Sequence, residues 1–397
     1  MRIAMIAACP FPWPRGTPVR IHRLAEALGR RGHEVHVVTY HFGEGPLSPH
    51  LSVHRIAGPS GYRHGAPGPT LTKLAVLDPL LTHKLRSLLR ALRFDVIHAH
   101  HYEGMLCAWL ARGQSHTPPL VFDVHALLGS ELPAYSALGK RLLHRLGTAL
   151  DRWLPLRADQ LIAVSEKMRR GLGALTGLEE SRIALISNGV ESEHFGSGVA
   201  SVERHSVVFA GNLAPYQGLE SLLQAFASVR EVQPLARLRL LTDGDFSPWR
   251  ARARALGLLD SIEVKPAGYP ELPEELCRAA VLVNPRSICS GIPQKLLNYM
   301  ASARPVVSFA GSATILEHER TGLIVEDDDA AAFAAAILRL MSDEALAASI
   351  GARARAFVTE HYSWEQVAAR VERVYARLPG LRSQEPEIAA DVPQRLG

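Results

Sequence analysis

The stretch that decides the fold runs from residue 284 to residue 309. It reads Asn284-Pro285-Arg286-Ser287-Ile288-Cys289-Ser290-Gly291-Ile292-Pro293-Gln294-Lys295-Leu296-Leu297-Asn298-Tyr299-Met300, then Ala301-Ser302-Ala303-Arg304-Pro305-Val306-Val307-Ser308-Phe309. Apolar runs on either side, Val281-Leu282-Val283 and Val306-Val307-Ser308-Phe309, predict a strand, a glycine turn, a helix and a second strand. Pro293 suits the first helical turn, where its missing N–H has no intrahelical partner to lose. Leu296, Leu297, Met300 and Ala301 form one apolar stripe, while Lys295, Asn298 and Ser302 share a polar face at i, i+3 and i+7. That polar face starts at the helix N-terminus, whose free N–H groups and dipole favour an anion such as a phosphate. The same spacing also describes an ordinary amphipathic helix with a solvated face.

The run Gly291-x-Pro293-x-Lys295-Leu296-Leu297-x-Tyr299-Met300-Ala301, closed by Arg304-Pro305-Val306-Val307, resembles the donor-sugar motif of the retaining glycosyltransferases of family 4. These are two-domain α/β enzymes of the GT-B architecture, with two doubly wound Rossmann-like domains facing each other across a cleft. In the family, two glutamates flank the turn and enter the helix, and they hold the donor sugar and its ribose. Ser290 and Asn298 stand in those places here, so the frame is kept while its two acidic groups are replaced.

The rest of the chain repeats the alternation of strand and helix. At 397 residues it has material for two or three domains with full cores. The opening apolar strand, residues 2–9, is followed by Pro10-Phe11-Pro12-Trp13-Pro14-Arg15-Gly16-Thr17-Pro18, a helix with Ile21, Leu24, Ala25 and Leu28 on one side, and the strand Val35–Thr39. This is a βαβ unit of a parallel sheet. It lacks G-x-G-x-x-G, which argues against a dinucleotide-binding enzyme. Later strands end in histidines, at Phe94–His100 and at Leu120–His125, and ligands of open α/β sheets lie outside the carboxyl ends of their strands. For His98 and His100 a structural role as hydrogen-bonded strand-end groups fits equally well. A helix is expected over Leu272–Ala280 before the central motif.

From the resemblance the chain divides into an acceptor-side Rossmann-like domain over 1–190, a linker over 191–205 and a nucleotide-sugar-binding Rossmann-like domain over 206–363. A helix over 364–378 would cross back onto the first domain, followed by a loose tail over 379–397. His125 matches the family position whose imidazole touches the sugar's hydroxymethyl group. The first loop carries a paired glycine in the family; here Gly16 remains, with Thr17 in the second place. After Gly211 the family has an arginine, and before Gly218 a lysine, both gripping the donor diphosphate. Asn212 and Gln217 occupy those places. A charge-assisted hydrogen bond is worth about 1.5–3 kcal/mol against about 0.5–1.5 for a neutral one, so another cation is needed, and Lys295 is the nearest candidate. The implied site therefore comprises His125 and Lys295 as catalytic groups, with Gly16, Gly211, Asn212, Gln217, Gly218, Ser290, Gly291, Ile292, Pro293 and Asn298 around the donor.

The implied reaction is transfer of a hexosyl unit from a nucleotide-diphosphate sugar, as co-substrate, to an acceptor hydroxyl with retained anomeric configuration, in glycan or glycoconjugate synthesis. No cofactor and no metal are expected. Asp243-x-Asp245 could be taken for the metal-binding pair of another glycosyltransferase class, but the GT-B frame and a turn at this place argue against it. Alternatives are a GT-B epimerase or phosphorylase, or a sugar-nucleotide-binding protein of weakened activity, which the neutral Ser290, Asn298, Asn212 and Gln217 would suit.

Charge is unevenly placed. Residues 1–190 carry 23 Lys and Arg against 13 Asp and Glu, and the remainder 21 against 26, balances of +10 and −5. The first half is expected to face an anionic partner. Nucleic acid is excluded by the lack of any DNA- or RNA-binding signature. A membrane surface fits better, and residues 138–154, with Leu138, Leu142, Leu146, Leu150, Trp153 and Leu154 at helical spacing and Lys140, Arg141, Arg145 and Arg152 elsewhere on the wheel, could lie in a lipid interface or pack as a surface helix. Four scattered cysteines and the absence of a signal-peptide pattern or an 18-residue apolar run predict a cytoplasmic protein, with peripheral membrane contact on that face.

Overall fold

The computed structural model describes residues 1–13, 16–59, 61–63, 68, 70–113, 118–135, 139–196, 201–289 and 291–380. The expected tail lies outside them from residue 381 onward. The first domain runs β1 (Arg2–Ala7), α1 (Thr17–Arg30), β2 (Glu34–Thr39), β3 (Leu51–Arg55), α2 (Asp78–Ala91), β4 (Val96–His100) and α3 (His101–Arg112). It continues through β5 (Leu120–Val124), α4 (Leu128–Glu131), α5 (Lys140–Trp153), β6 (Gln160–Ala163), α6 (Glu166–Thr176) and β7 (Ile183–Leu185). All seven strands are parallel, in the order β3-β2-β1-β4-β5-β6-β7.

After the short α7 (Ser192–Phe195) the pattern restarts with β8 (Glu203–Ala210), α8 (Leu219–Val232), β9 (Arg237–Leu241), α9 (Ser247–Ala255), β10 (Ile262–Lys265) and α10 (Leu272–Cys277). The central motif follows as β11 (Ala279–Asn284), α11 (Gln294–Ala301) and β12 (Val306–Phe309), then β13 (Leu323–Val325), α12 (Ala330–Ser342), α13 (Glu344–Tyr362) and α14 (Trp364–Ala376). The second sheet is parallel too, ordered β10-β9-β8-β11-β12-β13. In both sheets the order reverses beside the first strand of the domain, the doubly wound arrangement of the GT-B fold.

Burial on both faces explains the strand sequences. Every residue of β4, β5 and β11 is buried, which requires continuous apolar runs and hydrogen-bonded exceptions rather than alternation. The predicted stripe of α11, Leu296, Leu297, Met300 and Ala301, is wholly buried and packs with Val208, Leu282 and Val306. At roughly 1.5–3 kcal/mol for each large side chain, this stripe alone fixes which face of α11 is left for a ligand. Trp364, Val367, Val371 and Tyr375 of α14 pack with Ile3, Ile21 and Leu24, so the chain's last described helix closes the first domain's core.

Several expectations need correction. Pro293 is the N-cap of α11, extended at φ −60° and ψ 127°, and the helix starts one residue later. Ser302 does not share the polar face: it is buried at the helix end, its hydroxyl donating to the Tyr299 carbonyl at 2.7 Å. The helix before the motif stops at Cys277, and Ala279 and Ala280 enter β11 because Ala279 pairs with Glu203; sheet pairing overrides alanine's helical preference. That pairing also draws β8 back to Glu203, inside the stretch read as linker, and the same stretch contributes Phe195 to the core.

Candidate functional site

In the second domain the site grows from the end of β11. Asn284 is buried, and its amide donates to the hydroxyls of Ser308 and Ser312 at 2.9 and 2.7 Å. Ser312 in turn donates to the Arg286 carbonyl, so the loop after β11 is pinned to β12. Gly218 caps α8 at φ +74°, and a Cβ there would lie 1.7 Å from the Pro285 carbonyl oxygen. Only glycine lets the α8 N-terminus seat against this loop. The start of α11 approaches the same place, because the Lys295 ammonium donates to the Gln217 Oε1 at 2.7 Å. Gln217 donates to Asn212 Oδ1 at 3.3 Å, and Asn212 donates to the Tyr216 hydroxyl at 3.0 Å. Lys295 lies 4.2 Å from the Phe209 ring centre, and the Arg286 guanidinium 4.9 Å from that of Tyr216.

This chain joins Lys295, Gln217, Asn212 and Gly218, four of the residues expected around the donor, beside the N-terminus of an eight-residue and a fourteen-residue helix. Gly211, at φ +145°, adjoins Gln217. Burial, and then repulsion from Arg286, pull the Lys295 ammonium down to about 7. Two cations thus converge, and among the described residues neither forms an ion pair with a carboxylate, which leaves an electrostatic demand for an anion. Pro293 is buried, Ile292 is half-buried against the α11 core, and Asn298 accepts weakly from Gln294 at 3.4 Å. Ser290 lies outside the described residues.

In the first domain the strand ends carry a histidine cluster. Arg20 and Asp123 form a fully buried fork, at 2.9 and 3.3 Å, and Arg20 also donates to the carbonyls of Ile186 and Ser187. Burial, the largest single influence, would raise the Asp123 carboxyl; Arg20 together with His125, His100 and His98 outweighs it and holds the group well below its ordinary range. His98 donates or accepts at the Tyr375 hydroxyl at 2.6 Å, so a strand-end histidine is tied to α14. His100 Nδ1 lies 3.4 Å from Asp123 and 3.3 Å from His125 Nε2. The other nitrogen of His125 meets Thr17 Oγ1 at 3.1 Å. Burial drives the His125 ring well below its ordinary value, so it stays neutral near pH 7. Gly16, at φ +66°, is the N-cap of α1 and sits directly before that threonine.

His98, His100 and Asp123 bring three metal-ligand atoms within 4.8 Å of one another. Arg20 already engages both oxygens of Asp123, and its positive charge opposes a second cation at that spot. Asp243 and Asp245 are exposed in a bend, and Asp245 accepts from the Ser247 N–H at 2.8 Å.

The two half-sites face each other. A Cβ on Gly291 would lie 3.0 Å from that of Ser165, just past β6, and Gln294 at the start of α11 donates to the Gly189 carbonyl at 3.0 Å. The carboxyl ends of the first sheet therefore meet the N-terminus of α11. Arg20, Asp123, His101 and Arg286 were given no role in the sequence, and Thr17 only the place of the second glycine. Asp123 had one signal, a charge inside the apolar run Leu120-Val121-Phe122-Asp123-Val124, since such a charge must be paired. His101 sits at φ +60° between Glu103 and Glu131, at 2.5 and 3.0 Å. Burial opposes its charge, yet the two carboxylates push it up to about 10.

Two family models match: "Glycosyltransferase Family 4" over residues 14–194 and "Glycosyl transferases group 1" over residues 204–343. An uncharacterized glycosyltransferase of Methanocaldococcus jannaschii is 24% identical over 94% of this chain and 98% of its own length. An exopolysaccharide phosphotransferase of Streptomyces coelicolor is 30% identical over 60% of this chain, and the match spans a quarter of that larger protein, 25%. Among solved structures, the sucrose-phosphate synthase from Thermosynechococcus elongatus superposes with a TM-score of 0.73 at 21% identity, covering 95% of this chain and 98% of that one. The Anabaena protein HepE in complex with UDP-glucose superposes with a TM-score of 0.67 at 16% identity, covering 95% and 100%.

Proposed function

The chain belongs to the family 4, group 1 glycosyltransferases, and we propose from that membership that it moves a hexosyl unit from a nucleotide-diphosphate sugar to an acceptor hydroxyl with retained anomeric configuration. The observation that carries the donor assignment is the Lys295 ammonium resting on Gln217 Oε1. Gln217 stands where the family resemblance expects a diphosphate-gripping lysine, so the cation has moved to the neighbouring helix while its place in space is kept. HepE, similar in fold, was crystallised with UDP-glucose, which supports a nucleotide-sugar donor here.

In this reading the diphosphate sits between the N-termini of α8 and α11, with Lys295 and Arg286 as counter-charges. The bond from the anomeric carbon to the diphosphate oxygen breaks, and the acceptor oxygen bonds to the same face of the sugar. The acceptor's proton leaves toward the departing phosphate oxygen. Negative charge grows on the diphosphate as that bond breaks, and a fixed ammonium in a water-poor cleft stabilises the transition state more than the bound donor. His125, neutral and oriented at Nδ1 by Thr17, exchanges the long 3.3 Å contact of its Nε2 with His100 for a hydrogen bond to the sugar and transfers no proton. No step requires a metal.

The test is release of nucleoside diphosphate from a panel of UDP-, GDP- and ADP-sugars, with water or added sugars as acceptors. The reading expects one donor to be consumed, at least about tenfold more slowly by Lys295→Met. A wild-type protein that consumes none above background would overturn it.

A further inference from the structure

The helix α5 faces the wrong way for a core helix. Leu142, Leu146, Leu150 and Trp153, at i, i+4, i+8 and i+11, form its apolar stripe, and they are 62%, 51%, 39% and 37% exposed. The inward face is small and polar instead. Gly147 packs so closely on α4 that a Cβ would lie 2.6 Å from the Leu128 carbonyl oxygen. Asp151 accepts from the N–H groups of Leu128 and Gly129 at 2.9 and 2.8 Å, satisfying the first turn of α4. Turning the leucines inward would break both contacts, so the outward stripe is built into the packing.

Cations surround that stripe. Lys140, Arg141, Arg145 and Arg152 are exposed, and none is paired with a carboxylate among the described residues. The helix's one acid, Asp151, is the residue turned inside. Lys140, Arg141, His144 and Arg145, with Pro133, line an open depression of about 460 Å³ at the start of the helix. At the other end the Arg157 guanidinium lies 4.9 Å from the Trp153 ring centre, and Trp153 packs edge-on against Trp109.

We propose that the outer face of α5 docks on an anionic lipid bilayer, with the leucines and Trp153 entering the boundary of the hydrocarbon and the basic side chains meeting lipid phosphates. An apolar stripe flanked by unpaired cations matches that surface in both chemistry and shape. A second copy of the chain fits it poorly, because a two-fold contact would set each basic flank against its own like charges. The chain has no helix long and apolar enough among its described residues to cross a membrane, so the contact is peripheral. Since α4 starts three residues after His125, docking brings the first domain's side of the cleft next to the bilayer.

The test uses the full chain and co-sedimentation with phosphatidylcholine vesicles, with and without phosphatidylglycerol, at low and high salt. Binding should rise at least about tenfold with the anionic lipid, and fall again with salt. Arg141→Glu with Arg145→Glu, and separately Leu142→Ser with Leu146→Ser, should each lower it about tenfold while the thermal melt stays unchanged, since all four side chains are exposed. Equal binding to neutral vesicles, or none to either, would overturn the proposal. So would a wild-type dimer that the serine variant converts to monomer.

Discussion

Lys295 gives the site a pH dependence that can be worked out in advance. In the free protein burial and Arg286 hold its ammonium down at about 7, against an ordinary 10.5. A bound diphosphate replaces the lost water with negative charge, and a contact worth about 1.5–3 kcal/mol lifts the lysine by roughly one to two pH units. The donor therefore prefers the protonated protein. Below pH 7 the lysine is already charged and affinity is flat; from there to about 9 each unit of pH costs up to about 1.4 kcal/mol, and above the bound value the curve levels again. The expected loss across that window is roughly ten- to a hundredfold, with uptake of about 0.4 to 0.8 proton per donor bound near pH 8. Calorimetric titration of the nucleotide sugar in two buffers of different ionisation enthalpy reads the uptake directly, and the diphosphate diester keeps its own charge throughout. Lys295→Met should bind weakly and without the pH dependence. A wild-type affinity that is flat from pH 7 to 9, with no proton uptake, would mean that the phosphates do not meet this ammonium.

Other outcomes follow from the first domain and from the frame. Arg20→Met leaves Asp123 buried without its counter-charge and should cost about 3–5 kcal/mol, seen as a lower midpoint in denaturant unfolding; a change under 1 kcal/mol would mean that the fork contributes little. His125→Ala should lower turnover more than about tenfold with nucleotide affinity nearly unchanged, and Thr17→Val, which removes the hydroxyl at 3.1 Å, should lower it by the smaller factor of one neutral hydrogen bond, about 0.5–1.5 kcal/mol. Full turnover of His125→Ala in a steady-state assay would place His125 outside the reaction. Chelation with EDTA should leave activity intact; complete loss restored by manganese or magnesium would reverse the metal-free reading.

Much of this was legible in the residues because burial on both faces of a parallel sheet leaves a simple mark. The strand runs at 281–283 and 306–309, the α11 stripe and the two βαβ starts were read from apolar periodicity and glycine turns, and the structure places them so. Boundaries slipped where pairing between distant strands decided the outcome, as at Glu203 and Ala279, which no local pattern reports. Lys295 was singled out because it shares a helix with the motif. Arg286 was missed because its role depends on Tyr216, 70 positions away in the chain and brought near by the Gly218 turn. Thr17 was legible only as the missing second glycine, and its hydroxyl's bond to His125 spans 108 residues. The outward turn of α5 was likewise hidden: leucine spacing reports a stripe, and it took Gly147 and Asp151 to show which side is inside.

If Lys295 stands in for the cation missing at Gln217, the two positions should be interchangeable toward a diphosphate. Titration calorimetry at pH 6.5 on the wild type, Lys295→Met, and Lys295→Met with Gln217→Lys, using a nucleoside diphosphate and the matching nucleoside, tests it most directly. Lys295→Met should weaken the diphosphate by about 1.5–3 kcal/mol more than the nucleoside, and the added Gln217→Lys should restore part of the difference, since the two groups lie 2.7 Å apart. Equal losses for the two ligands, or no restoration, would contradict it.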